Sequence, residues 1–486
     1  MLDETPAGRN VSLDLRAMSK ASPKPDAFEW LRYPDTEDYV SERLNEFVSA
    51  VPPVRDLAET LFAHTSGRLL HWLDHFELAD GDVPRDQLAN LGFEPEDVPS
   101  EADTTAYYHP GAIFPRLLLR RVAGITPGTT IAAAIQVEDV SHFLMARQLA
   151  VPIEGTLLSP YRRAIVWQKD GWKFLAVERR GHAGFVPTHM PPDYPLRYLN
   201  SFERWATRPR LFADERAGME QTLTLARSLV SDMGADTAAW IAFAVERAHW
   251  QRRNWAGQVQ KARQDSLGLG WANHDHHTFR SSRTVFPLLI EILETFGFRA
   301  RERFYAGAEA GWGAQVLEQP VCRLAVFADV DLAPAEVEGD FAHNPLPPRD
   351  ELGTVGLWCA LHGESMLGAG LHHLAARFAF DTATESLAER GIRTMRPFSD
   401  FSYLRQAFTR GEQWPVAPDR LARLTAADSA ATPIDESQRA RFAQKGAIGS
   451  HLENIQRGEG FKGFNQQKIS DIIHRTDPRA ATIEAK

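Results

Sequence analysis

The chain has 486 residues, of which 43% are hydrophobic and 24% charged, ordinary usage for a globular protein long enough for two or three domains. A formal net charge of −10 excludes a general nucleic-acid binder, which needs clustered Lys and Arg to neutralise phosphates. No run approaches the roughly 18 consecutive apolar residues of a membrane span, and the acidic start "MLDETPAGRNVSLD" lacks the apolar core of a signal peptide. Neither nucleic acid nor membrane is therefore expected as a partner, and a cytoplasmic location is the expectation. The two cysteines, Cys322 and Cys359, lack paired spacing and read as buried free thiols.

Residues 1–125 read as mostly helical. Their stretch "SERLNEFVSAVPPVRDLAETLFAHTSGRLLHWLDHF" carries apolar residues at three- and four-residue spacing, broken at Pro52 and Pro53. Residues 126–200 change pattern. "TTIAAAIQVEDVSHFLMARQLAVPIEGTLL" is a strand and a helix, and "RRAIVWQKDGWKFLAVERR" is two strands around a Lys169-Asp170-Gly171 turn, giving a small β-α-β-β unit. Residues 201–267 form a helical connector, with a break near Gly234 and with Trp240, Trp250 and Trp255 as packing residues.

From 268 to 340 the order is β-α-β-β-β: "HHTFRSS", the helix "RTVFPLLIEILETFG", then "RARERFYAGA", "GAQVLEQ" and "CRLAVFADVDL". A Pro-rich linker at 341–353 leads to a second run at 354–486. There "AGLHHLAARFAF" is a strand, "DTATESLAERG" a helix ended by Gly391, and the last strands finish near "GSHLENIQR", followed by a C-terminal helix. The predicted fold class is α+β, with tandem βαβββ modules forming a curved mixed sheet around a metal site.

The two modules carry an internal repeat. His276 precedes Arg280 by four residues in "WANHDHHTFRSSR", and His373 precedes Arg377 by four in "LHHLAARFAF". Side chains alternate faces along a strand, so His274 and His276 point one way and His277 the other; His372 and His373 are likewise opposed. Two imidazoles from matching strands, with a carboxylate from a late strand, make a site for a mononuclear iron(II) oxygenase. Glu453 in "SHLENIQR" is the carboxylate candidate; Glu459 and Glu364 lie in turn-like "GEG" and "HGES" and are weaker. Arg280 and Arg377, an even number of residues from their histidines, are candidates to grip a substrate carboxylate. For Arg377, a salt bridge at the module interface is an equal alternative. By affinity alone Fe, Mn, Co, Ni or Zn would suit these ligands.

At these residues the chain resembles the vicinal oxygen chelate superfamily, and within it the 2-oxoadipate dioxygenase/decarboxylase (hydroxyglutarate synthase) family. "NHDHHTFRSS", "LHHLAARFAFD", "HLENIQRG" and "GFNQQKISDIIHRTD" are similar to that family's segments in order and spacing, over about Trp271 to Asp477. "GLHHLA" and "LENIQR" are also similar to 4-hydroxyphenylpyruvate dioxygenase. The resemblance implies Fe(II) as cofactor, His276, His373 and Glu453 as its ligands, and Arg280 as a catalytic, substrate-gripping residue. It implies a 2-oxo acid and O2 as partners and an oxidative decarboxylation of 2-oxoadipate to 2-hydroxyglutarate and CO2, a step of lysine breakdown. A dicarboxylate needs a second cationic anchor, for which Arg377 and Arg405 are candidates. An aryl 2-oxo acid would instead use Phe401, Tyr403 and Phe464. An oxygen-independent isomerase or lyase on the same scaffold remains open, as does a binding protein without activity. An exposed sheet edge could also pair with a copy of itself in a homodimer. The β-α-β-β unit at 126–200 lacks the His-x-x-x-Arg pattern and reads as a decayed module of the same type.

Overall fold

The computed structural model describes residues 30–308, 310–349, 351–424, 434–465 and 477–479. Within the second half, β8 (His274–Arg280) is followed by the helix Phe286–Thr295 and by β9 (Arg299–Tyr305), β10 (Trp312–Gln319) and β11 (Leu324–Asp331). β8 pairs parallel with β11, and β10 pairs antiparallel with both β11 and β9. The order then repeats with β12 (His373–Arg377), the helix Phe380–Ala388, β13 (Ser399–Phe401), β14 (Leu404–Phe408) and, after an inserted β15 (Glu412–Trp414), β16 (Ala447–Arg457). β12 pairs parallel with β16, β14 antiparallel with β16 and β13. These are two βαβββ modules, joined by the antiparallel contact of their first strands, β8 and β12. After each helix the chain turns at a glycine of positive φ, Gly297 (+82°) and Gly391 (+76°), which only a residue without Cβ adopts at no steric cost.

The first half has the same plan, and here the structure departs from the sequence reading. Residues 1–125, expected as mostly helical, contain four strands after the helices Pro34–Ala50 and Pro52–Thr65: β1 (Leu73–Ala79), β2 (Glu94–Glu96), β3 (Thr104–Tyr108) and β4 (Arg116–Arg120). With the helix Asp82–Asn90 between β1 and β2 they form a complete βαβββ module: β1 is parallel to β4, and β3 is antiparallel to β4 and β2. The β-α-β-β unit is not separate. Its strands β5 (Thr130–Gln136), β6 (Tyr161–Lys169) and β7 (Trp172–Arg179) complete a seven-stranded sheet through β1 and β5. The cause of the misreading is burial. All seven residues of β1 are buried, so "LDHFELA" shows no strand alternation and its apolar positions run on from the preceding helix.

The connector forms helices Tyr194–Ala206, Glu215–Met233, Ala235–Gln251 and Trp255–Asp265. Asp214 starts the second by accepting the backbone N–H of Arg216 and Ala217, which satisfies two of the four free donors of a helix start. These helices cover the outer face of the nine-stranded sheet, where Trp205, Trp240 and Trp250 pack with Phe279, Leu374 and Leu452. Trp255, expected to pack, is 56% exposed. On the inner face Phe304, Val316 and Phe327 pack against Trp358. That tryptophan belongs to a helix, Thr354–His362, lying between β11 and β12. Both cysteines are buried and free. Among the described residues no helix is long and apolar enough to cross a membrane; the expected C-terminal helix and most of "GFNQQKISDIIHRTD" lie outside them.

Candidate metal centre

β8, β12 and β16 are adjacent in the sheet, and their alternation sends His276, His373 and Glu453 to one inner face. One ligand atom from each lies within 4.8 Å of the others. The Nε2 atoms of His276 and His373 are each 3.1 Å from Glu453 Oε2, and all three residues are buried. Two nitrogens and one carboxylate oxygen facing a common point are the donor set of a facial two-histidine, one-carboxylate metal site. The flanking groups fit that use. Asp275 lies 3.0 Å from His276 Nδ1 and accepts its N–H, which leaves Nε2 as the lone-pair donor. Gln406 donates to Glu453 Oε1 at 2.8 Å, leaving Oε2 for the ligand position.

The electrostatics agree. Burial alone would lower the His276 pKa, but the Glu453 carboxylate and Asp275 outweigh it and raise it to about 9. Glu453 shifts the other way: burial opposes its charge, yet the two imidazoles hold its carboxyl well below the usual range. Burial keeps His373 on the neutral side of its ordinary value, against the pull of Glu453. A buried carboxylate between two imidazoles attracts a cation, and a divalent metal ion supplies that charge without a proton.

Arg280 is at the end of β8, 3% exposed. Its Nε lies 3.7 Å from Asp329 Oδ2, too far for a hydrogen bond, and both Nε and Nη1 are enclosed without a partner. The guanidinium stands 5.6 Å from the Trp358 ring, and His372 is equally close to that ring. Rings of Phe327 and Phe464 flank His276, and Phe408 flanks His373.

The other expected residues lie elsewhere. Arg405 alternates with Gln406 and faces away from the metal ligands, with Asp400 and Asp381 holding it at 2.7 and 2.6 Å; as a substrate anchor it is corrected. Arg377 sits at the end of β12 opposite His373, where that strand meets the N-terminal half and faces a cavity lined by Trp72, Asp275 and Arg323. Phe401 and Tyr403 stack on each other beside Phe461, outside the site, whereas Phe464 is in it. Glu364 is buried but accepts the backbone N–H of Ser282, and Glu459 pairs with Arg32 at 3.4 Å. His277 faces the helical layer at Phe243 and Arg247; His274 bonds the Trp271 carbonyl. Sequence reasoning missed Asp275 and Gln406. Asp275 directly precedes His276, a signal that strand alternation argued against.

The first half carries a parallel constellation. β1 and β5 pair Glu77 with Ala132 as β8 and β12 pair Thr278 with His373, and β5 and β7 pair Ala134 with Leu175 as β12 and β16 pair Ala375 with Glu453. His75 and Asp74 then correspond to His276 and Asp275, and Arg179 to Arg457. Arg179 clasps Asp74 with two bonds of 2.7 Å, as Arg457 clasps Asp275 at 2.7 and 2.9 Å. The positions of His373 and Glu453, however, are taken by Ala132 and Leu175.

No protein-family model and no curated protein matches the chain. Among solved structures, a mutant 4-hydroxymandelate synthase from Streptomyces coelicolor is similar at 14% identity over 83% of this chain and 98% of that one, with a TM-score of 0.27. Methylmalonyl-CoA epimerase from Mycobacterium tuberculosis is similar at 12% identity over 38% and 89%, with a TM-score of 0.22. Glyoxalase I from Zea mays is similar at 15% identity over 22% and 43%, with a TM-score of 0.17. The scores are low, and the fold assignment rests on the strand order and register above: an α+β protein of paired βαβββ modules, the arrangement expected of vicinal oxygen chelate proteins.

Proposed function

We propose that this protein is a non-haem Fe(II)-dependent dioxygenase that oxidatively decarboxylates a 2-oxo acid. The observation that carries the reading is the convergence of His276, His373 and Glu453 on a face that also carries a buried guanidinium, Arg280, whose Nε and Nη1 have no hydrogen-bond partner. When bound, an iron(II) ion would supply one-electron chemistry with O2 and a Lewis-acidic anchor for the 2-oxo acid. The protein does the rest. Arg280 offers Nε and Nη1 to a substrate carboxylate by charge-assisted hydrogen bonds, worth about 1.5–3 kcal/mol. Phe327, Phe408 and Phe464 exclude water around the ligand positions and strengthen those contacts. Asp275 and Gln406 fix the orientation of His276 and Glu453.

We favour 2-oxoadipate, giving 2-hydroxyglutarate and CO2. In support, His373 Nδ1 lies 3.2 Å from His372 Nδ1. With His373 Nε2 turned to the metal, its Nδ1–H donates to His372, whose proton then sits on Nε2, a buried atom without a partner. Arg280 and His372, both beside Trp358, provide two donors for a dicarboxylate. The phenylalanines around the ligands favour, as the second reading, an aryl 2-oxo acid of the 4-hydroxyphenylpyruvate kind.

The test is oxygen uptake by anaerobically prepared, Fe(II)-loaded protein offered 2-oxoadipate or 4-hydroxyphenylpyruvate, with released CO2 counted. Uptake matched one to one by CO2 is expected, and the preferred acid chooses between the readings. Turnover of a substrate without oxygen would overturn the dioxygenase reading in favour of an isomerase or lyase.

A further inference from the structure

A cavity of about 660 Å³ lies where the two halves meet, within the usual size range of small-molecule sites. The first half contributes an aromatic wall that includes Trp72, Tyr108 and Phe114, and the second half contributes Arg323 and Arg377. None of His276, His373 and Glu453 lines it. Phe464 borders both spaces, lining the cavity while its ring lies 5.0 Å from that of His276.

The cations around this cavity fall into two groups. Arg116 is clasped by Glu96 at 2.8 and 2.9 Å, Arg457 by Asp275, and Lys462 by Glu318 at 2.9 Å. Arg377 and Arg323 are not matched in this way. The Arg377 side chain makes no ion pair or hydrogen bond among the described residues, and its Nε is enclosed. Arg323 reaches Asp74 at 3.4 Å only, and Arg179 already holds both oxygens of that carboxylate; Arg323 Nη2 is enclosed and unpartnered. His71 adds a third orphan, Nδ1. Burial and Arg377 hold this imidazole neutral, with its pKa lowered to about 3. Each of these half-buried arginines keeps one donor nitrogen out of water without a partner, and an anion in the cavity would supply that partner through charge-assisted hydrogen bonds.

We propose that the cavity between the two halves is a second ligand site, distinct from the metal centre, that takes a small molecule bearing a carboxylate or phosphate group on an apolar or aromatic body. The oxyanion sits at Arg377, and the body lies along Trp72 and Phe114. Asp275 lines the cavity and also accepts the N–H of His276 Nδ1, so the two sites share a wall while their ligand-contacting groups differ.

The experiment is calorimetric titration of the full chain with inorganic phosphate, succinate and phenylacetate in separate arms, which tells phosphate from carboxylate and an aliphatic from an aromatic body. The expected result is saturable binding of at least one probe, retained in Arg280→Met and in chelator-treated protein, and weakened at least tenfold in Arg377→Met. Should Arg377→Met fail to fold, phenylglyoxal labelling of the wild-type chain, mapped by mass spectrometry, replaces it, and the bound probe should protect Arg377. No binding of any probe overturns the proposal. So does binding that survives Arg377→Met or leaves Arg377 unprotected, and binding lost in Arg280→Met would place the ligand at the metal centre instead.

Discussion

The two halves of this molecule share a plan and differ in three side chains that matter. Each joins two modules through their first strands, and each buries an Asp-His pair clasped by a bidentate arginine from the last strand: Asp74, His75 and Arg179 in one, Asp275, His276 and Arg457 in the other. In the second half His373 and Glu453 complete a donor set. In the first half Ala132 and Leu175 stand at the matching register positions, and Ala79 occupies the place of Arg280. The shared triad is thus a structural device for pinning the junction between modules. On the proposed function, two further substitutions would add metal chemistry and a third would add substrate chemistry.

The comparison predicts opposite outcomes for matched variants. The largest effect belongs to Glu453→Ala, which should reduce turnover to background, whereas His75→Ala should leave oxygen uptake within about twofold of wild type, since no step passes through it. Next come the clasps. Arg179→Met and Arg457→Met each strand a buried carboxylate and should each cost about 3–5 kcal/mol in urea unfolding. Only Arg457→Met should also weaken metal binding, by about 10–100-fold, because Asp275 orients His276. Arg280→Met should lower kcat/KM about 10–100-fold while metal content stays unchanged, the signature of a lost substrate contact.

The smallest effect concerns pH. Burial raises the Glu364 carboxyl from 4.5 to about 7, so between these values the folded chain holds a proton that the unfolded chain has released. Stability attributable to this group therefore falls as pH rises through that window. Glu364→Gln should remove that dependence and stabilise the protein by about 1–3 kcal/mol near pH 8 relative to wild type. In the first half the buried Asp74 contrasts: despite burial, Arg179 and Arg323 hold its carboxyl well below its usual value. Its contribution is present at neutral pH and lost only in acid.

The second half was legible because, although its strands are nearly as buried as β1, its two modules repeat His-x-x-x-Arg at a fixed distance from a helix ended by glycine. Its ligands could be read from strand parity, since His276, His373 and Glu453 each sit on a strand buried by neighbours on both edges. The first half was harder to read. β1 is buried throughout, and the polar residues that would mark it as a repeat, Asp74 and His75, carry no arginine four residues on. Arg405 was misplaced because one residue decides a face: Gln406, not Arg405, turns toward Glu453. The cavity at the junction was invisible for a different reason, since its walls come from segments about 300 residues apart and no local pattern encodes their meeting.

The central claim of the proposed function is that the second half holds a catalytic metal through His276, His373 and Glu453, a donor set that the first half lacks among the described residues. Metal content per chain, measured after anaerobic Fe(II) loading and gel filtration of wild type, Glu453→Ala and His75→Ala, tests it most directly. The account predicts one iron per chain in wild type and in His75→Ala, and none retained in Glu453→Ala. Iron kept at full occupancy in Glu453→Ala, or lost in His75→Ala, would contradict it.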